Sequence, residues 1–173
     1  MAADQIDQPA GNEERRNAAR TAVAQHVSGL DDALDAANAR SDQDAGRDLV
    51  LIAFGMPVGI GERLGTPAFN ALYGNRIDGV DPAEQDAVAA ENLAAAGRAA
   101  ARIDAVVLIE PVSGAPRYPL LTAADAVTVI DRVRDQSGVD SLRLLADLYH
   151  LQVNGDDVAA AIDAHAGLIG HVQ

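Results

Sequence analysis

Between Pro67 and Gln173 the chain alternates short apolar runs with helical stretches, and one run never follows another directly. Ala68-Phe69-Asn70-Ala71-Leu72-Tyr73 reads as a strand ending at Gly74-Asn75. Asp81-Pro82-Ala83-Glu84 then supplies an N-cap, a proline at the first helical position and an acid at the third, opening an Ala-rich helix to about Ile103. Ala105 to Ile109 is the next strand, closed by Glu110-Pro111. Thr122 caps a helix to about Arg134, with Asp125 near its positive end. Leu142 to Leu148 is a strand, Asp156-Asp157 open a helix to about Ala166, and Leu168 to Gln173 is a further strand. Such alternation implies parallel strands joined by crossover helices. A doubly wound sheet and a closed barrel both satisfy it.

The front of the chain differs. Residues 1–47 are polar, with few large apolar side chains, and form an atypical segment that is partly helical or disordered. Residues 1–12 read as disordered, while Val23, Val27, Leu30 and Leu34 recur at helical spacing. The α/β domain is expected over 48–173, starting with the buried strand Leu49 to Phe54, which Gly55 and Pro57 end. Gly59-Ile60-Gly61-Glu62-Arg63-Leu64-Gly65 has the wrong glycine spacing for a dinucleotide-binding turn and reads as a short helix stopped at Gly65.

Composition narrows the function classes. Aromatic residues make up 3% of the chain against 49% apolar, so the core is aliphatic and suits helices packed on parallel strands. A net charge of −13 disfavours contact with a phosphate backbone, so no nucleic-acid partner is expected. The absence of Cys removes disulfides, zinc–thiolate centres and thiol nucleophiles. No apolar run is long enough to span a bilayer, and the first residues lack the apolar stretch of a signal peptide, so a cytoplasmic protein without a membrane partner is expected.

In parallel α/β folds the chemistry lies at the carboxyl ends of the strands. That rule selects Asn70 and Tyr73, then Glu110, then Asp147 with His150, and finally Gln173. Glu110 follows Val106-Val107-Leu108-Ile109 and Asp147 follows Leu144-Leu145-Ala146, where a charge is costly unless paired or bound to a metal. Two carboxylates and an amide oxygen on successive strand ends are hard ligands, suited to Mg2+ or Mn2+. His171 sits two before Gln173 on the same strand face, while His26 and His165 fall in helical patterns. Arg76 and Arg117 lie in strand-end loops, within reach of a substrate carboxylate.

Val107-Leu108-Ile109-Glu110-Pro111, Leu145-Ala146-Asp147-Leu148-Tyr149-His150-Leu151-Gln152 and Ile169-Gly170-His171-Val172-Gln173 resemble successive site strands of the hydroxypyruvate isomerase family. These enzymes belong to the xylose-isomerase-like sugar isomerase and epimerase TIM barrels. Asn70 to Arg76 and Asp78 to Glu91 also resemble that family, so the likeness covers about Gly59 to Gln173. The resemblance implies a partial (β/α)8 barrel of four to five βα units. It implies that Glu110 is the catalytic glutamate and a metal ligand, that Asp147 and Gln173 are further metal ligands, and that His150 binds substrate. Asn70 and Arg76 are the other substrate-binding candidates. The implied reaction converts hydroxypyruvate to 2-hydroxy-3-oxopropanoate through an enediolate, with a small hydroxy-carbonyl acid as substrate and a divalent metal as cofactor.

A complete barrel of this kind takes about 250 residues, against 173 here. The family's second catalytic glutamate lies on the strand after Leu168 to Gln173, and residues 1–47 do not resemble the family's first two βα units. The expectation is therefore a barrel truncated at both ends and inactive alone. The alternative is a non-catalytic barrel fragment that self-associates as a homo-oligomer through exposed strand edges. The related apurinic-site endonuclease barrels have histidine-rich metal sites, from which four His and the acidic charge point away.

Overall fold

The computed structural model describes residues 57–173. The polar segment 1–47 and the expected strand Leu49 to Phe54 lie outside the described residues. The chain divides into two compact units, Met1–Leu64 and Gly65–Gln173. In the first, residues 57–64 are helical. Gly65 has a φ of +66°, the left-handed stop expected at that position.

The second unit is an α/β layer. Its elements are β1 (Ala68–Ala71), α1 (Pro82–Ala101), β2 (Val106–Ile109), α2 (Ala123–Ser137), β3 (Leu142–Ala146), α3 (Leu148–Val153), α4 (Val158–His165) and β4 (Ile169–Val172). The strands form one parallel sheet in the order β1-β2-β3-β4. Sequential order without reversal is what consecutive units of a (β/α)8 barrel produce, whereas a doubly wound sheet reverses at its switch point. The fold is a partial barrel of this type.

Local chemistry explains the elements. The Asp81 side chain accepts from the Ala83 amide at 2.8 Å and starts α1, with Pro82 inside the first turn. At the other end α1 lies so close to β3 that a Cβ on Gly97 would stand 2.5 Å from Val139 and 2.7 Å from Leu142. Ser141 donates to the Gly97 carbonyl at 2.7 Å and fastens that approach. Thr122 and Asp125 form a full capping box on α2, and Gly138 ends it with a φ of +71°. Ile130 and Val133 are each 1% exposed beneath α2. Truncating such an isoleucine to alanine costs about 2–5 kcal/mol.

Two strand ends fall short of the sequence reading. β1 stops at Ala71, two residues before Tyr73. β3 stops at Ala146, and Leu148 belongs to α3, whose N-cap is Asp147. Asp147 accepts from the His150 amide at 2.9 Å, so the carboxylate turns the chain out of the sheet and into a helix. Leu148-Tyr149 looks like strand in a linear pattern, but the cap overrides it.

Candidate metal centre

The sheet carries the site on one face. Asn70 pairs in register with Leu108, and Leu108 with Arg143. Side chains alternate along a strand, so Glu110 shares the face of Asn70 and Leu108, and Asp147 that of Arg143 and Leu145. Both acids sit one residue past the last strand position, at the carboxyl ends of β2 and β3.

Glu110 and Asp147 are 7% and 6% exposed. With His150 they form a cluster whose ligand atoms lie within 4.8 Å of one another. The Asn70 amide donates to Glu110 Oε2 at 2.6 Å. His150 Nε2 stands 4.0 Å from Glu110 Oε1, and His150 Nδ1 faces the amide and hydroxyl of Ser113. Tyr118 donates to the Glu110 main-chain carbonyl at 2.9 Å and receives the Tyr73 amide at 2.9 Å, clamping the strand end. Burial raises the Tyr118 pKa, the Tyr73 amide lowers it and the Glu110 charge raises it; the phenol remains a neutral donor.

The donor set fits a divalent cation. Two buried carboxylates this close repel each other, and the amides of Asn70 and His150 supply hydrogen bonds without cancelling charge. Arg76 and Arg132 are both turned to Asp86, at 2.6 and 3.6 Å. Hard oxygen donors suit a divalent cation, which Glu110 and Asp147 would hold.

Of the other residues selected from sequence, Gln173 reaches the end of β4 level with Asp147. Its amide bonds the Ala146 carbonyl at 3.0 Å, and its carbonyl accepts from the Leu148 amide at 2.9 Å. Arg76 is not brought to Glu110: it ion-pairs with Asp86 and donates to the Pro82 carbonyl at 3.2 Å. That hydrogen bond to Asp86 raises the Arg76 pKa and holds it charged. Arg117 pairs with the exposed Asp78 at 3.0 Å. Tyr73 donates to Asp86 at 2.6 Å. His171 is exposed and pairs with Leu145, and His165 ends α4. His26 lies outside the described residues. Sequence reasoning missed Ser113, Tyr118 and Asp86. Each is a single polar residue in a loop or on a helix, and no periodicity marks it.

The chain was compared with known proteins. Over 112 residues it is 54% identical to a Streptomyces coelicolor protein that bears the name hydroxypyruvate isomerase, a match covering 64% of this chain and 40% of that one. The hydroxypyruvate isomerase of Escherichia coli is 30% identical over 112 residues, with 64% of this chain and 42% of the enzyme covered. The chain thus spans less than half the length of these curated relatives. A crystal structure of an AP endonuclease, family 2, from Brucella melitensis superposes with a TM-score of 0.62 at 26% identity, covering 73% of this chain and 46% of that one. The family model described as xylose isomerase-like TIM barrel matches residues 5–173. With a sequential parallel sheet and paired acids at its strand ends, the chain belongs to the xylose isomerase-like TIM barrel family.

Proposed function

We propose that this chain carries part of the active site of a sugar-acid isomerase that interconverts hydroxypyruvate and 2-hydroxy-3-oxopropanoate. The observation that carries the reading is the buried Glu110–Asp147 pair with His150 beside it, all within 4.8 Å. Its similarity to hydroxypyruvate isomerases over this region supports the substrate class.

A bound Mg2+ or Mn2+ would polarise the substrate carbonyl. Asn70 holds Glu110 Oε2, which leaves Oε1 to take a proton from the carbon beside that carbonyl. The C–H electron pair then forms an enediolate; return of that proton to the former carbonyl carbon, with the hydroxyl proton passing from the C3 oxygen to the C2 oxygen, gives the isomer. His150 sits beside Oε1, where it can contact a substrate oxygen. Asp147, and Gln173 level with it on β4, complete the proposed oxygen donors. Arg76 would have to leave Asp86 before it could meet a substrate carboxylate.

In D2O with Mg2+, the chain should catalyse loss of the C3 proton signal of hydroxypyruvate. Exchange that persists unchanged in Glu110→Gln would sink the assignment of Glu110, and no exchange above background in the wild-type chain would sink the isomerase reading.

Two other readings have some support. The name of the Brucella structure suggests nucleic-acid chemistry, but a net charge of −13 opposes binding to a phosphate backbone. Among the described strands β4 has one neighbour and Val172 is 53% exposed, which favours self-association through an open edge. Sedimentation tests this, because a well-folded monomer at all concentrations excludes edge pairing. No helix among the described residues is long and apolar enough to cross a membrane.

A further inference from the structure

We propose that Ser113 is a positioning residue that holds the His150 ring in its Nε2–H tautomer, so that His150 offers the site a hydrogen-bond donor and not a metal-ligating nitrogen. The role given to that donor rests on the isomerase reading above; the tautomer does not.

The argument starts from a group whose polarity is fixed. The Ser113 main-chain N–H points at His150 Nδ1 over 3.2 Å, and an amide N–H can only donate. Nδ1 must therefore present its lone pair. A proton on Nδ1 would set two donors against each other inside a half-buried contact. The Ser113 hydroxyl lies 2.8 Å from the same nitrogen and can donate to it as well. A neutral imidazole carries one ring proton, so that proton sits on Nε2.

The rest of the ring's surroundings agree. His150 lies in the first turn of α3, where its amide is tied to Asp147 at 2.9 Å. The backbone is thus anchored on one side and the ring on the other, by a residue 37 positions earlier in the loop after β2. Nε2 then faces Glu110 Oε1 at 4.0 Å. That is too long for a direct hydrogen bond, so the N–H is not taken by Glu110 and can be offered to a substrate oxygen.

The consequence concerns metal choice. A ligating imidazole nitrogen must be unprotonated, so Nε2 can join the metal only if Nδ1 gives up the Ser113 main-chain N–H. Of the three groups gathered within 4.8 Å, two are then oxygen ligands and the third is a donor to substrate. An all-oxygen set selects Mg2+ or Mn2+ over Zn2+.

The test is long-range proton–nitrogen correlation NMR on the full 15N-labelled chain, at a pH where an ordinary imidazole is neutral. His150 is assigned from the signals missing in His150→Gln. The expected pattern is Nε2–H, retained after Mg2+ is added. Ser113→Ala keeps the main-chain N–H and should keep the Nε2–H form, whereas Ser113→Pro, which removes that N–H, should raise the Nδ1–H population about fivefold, the effect of one neutral hydrogen bond. A wild-type ring in the Nδ1–H form, or loss of the Nε2 proton on adding Mg2+, would overturn the proposal. A shift to Nδ1–H in Ser113→Ala would overturn the part given to the main-chain N–H. An Nε2–H ring in a chain that shows no response to Mg2+ would support the tautomer while removing the isomerase reading.

Discussion

Gln173 stands opposite Asp147 because β4 carries one extra residue. The register runs Leu144 to Ile169 and then Leu145 to His171, skipping Gly170. Without that bulge Val172 would come level with Asp147, and the site face of β4 would present the other set of side chains. Gly170 permits the bulge sterically. A Cβ there would stand 2.6 Å from Arg143 Cβ and 2.8 Å from Leu108 Cδ2.

Gly170→Ala should therefore destabilise the unit by about 1–3 kcal/mol, the usual penalty of forcing an extra carbon into a packed site. Urea unfolding of the full chain measures this as a lower midpoint at constant slope. A midpoint equal to wild type would show that the close approach at Gly170 does not constrain β4.

Glu110→Gln and Asp147→Asn should act in opposite directions on stability and binding. Each removes one of two buried like charges while keeping an oxygen to accept from Asn70 or from the His150 amide. In metal-free buffer both variants should be as stable as wild type or more so. Mg2+ affinity by calorimetry should fall by at least about tenfold, or 1.4 kcal/mol. Undiminished affinity in either variant would exclude that residue as a ligand.

Asn70→Ala should weaken the site without unfolding it. Asn70 is exposed on β1, so its own burial contributes little, but its 2.6 Å bond orients Glu110. Removing a group that orients a ligand typically costs about 10–100-fold in metal affinity. A calorimetric titration that matches wild type would place Asn70 outside the functional shell.

Asp86 controls the pH dependence of the β1–α1 corner. Burial raises its pKa, but the hydrogen bonds from Arg76 and Tyr73 and the charges of Arg76 and Arg132 outweigh that, and the net shift is downward. A depressed carboxylate stabilises the fold above its unfolded value of about 3.9, and the contribution disappears as pH falls through the lower folded value. Tyr73 is shifted upward, by burial first and then by its bond to Asp86. Its contribution is complete below the unfolded value of about 10 and is lost as pH rises through the folded one. Asp86→Asn should cost about 1–3 kcal/mol near neutral pH and flatten both limbs of a stability–pH curve. Limbs as steep as those of wild type would remove Asp86 from the account.

Much of this protein was legible in the sequence because the determining forces are local. Strands β1, β2 and β4 and helices α1, α2 and α4 follow from apolar runs and caps such as Asp81-Pro82 and Thr122 with Asp125. A charge directly after a buried run marked Glu110 and Asp147 as neighbours at strand ends, since parallel strands bring those ends together. Where β3 ends was less legible, because Leu148-Tyr149 looks like strand until the Asp147 carboxylate captures the His150 amide. Asp86 claims Arg76, Tyr118 clamps Glu110, and Ser113 reaches His150; all three are contacts between segments that no linear period records. Sequence alone determined most of the elements, α3 excepted, and which strand ends carry buried acids. Register and side-chain direction were decided only by tertiary structure, because they depend on distances across the sheet between residues far apart in the chain, and the pairing of Arg76 depends on how the loop after β1 folds back on α1.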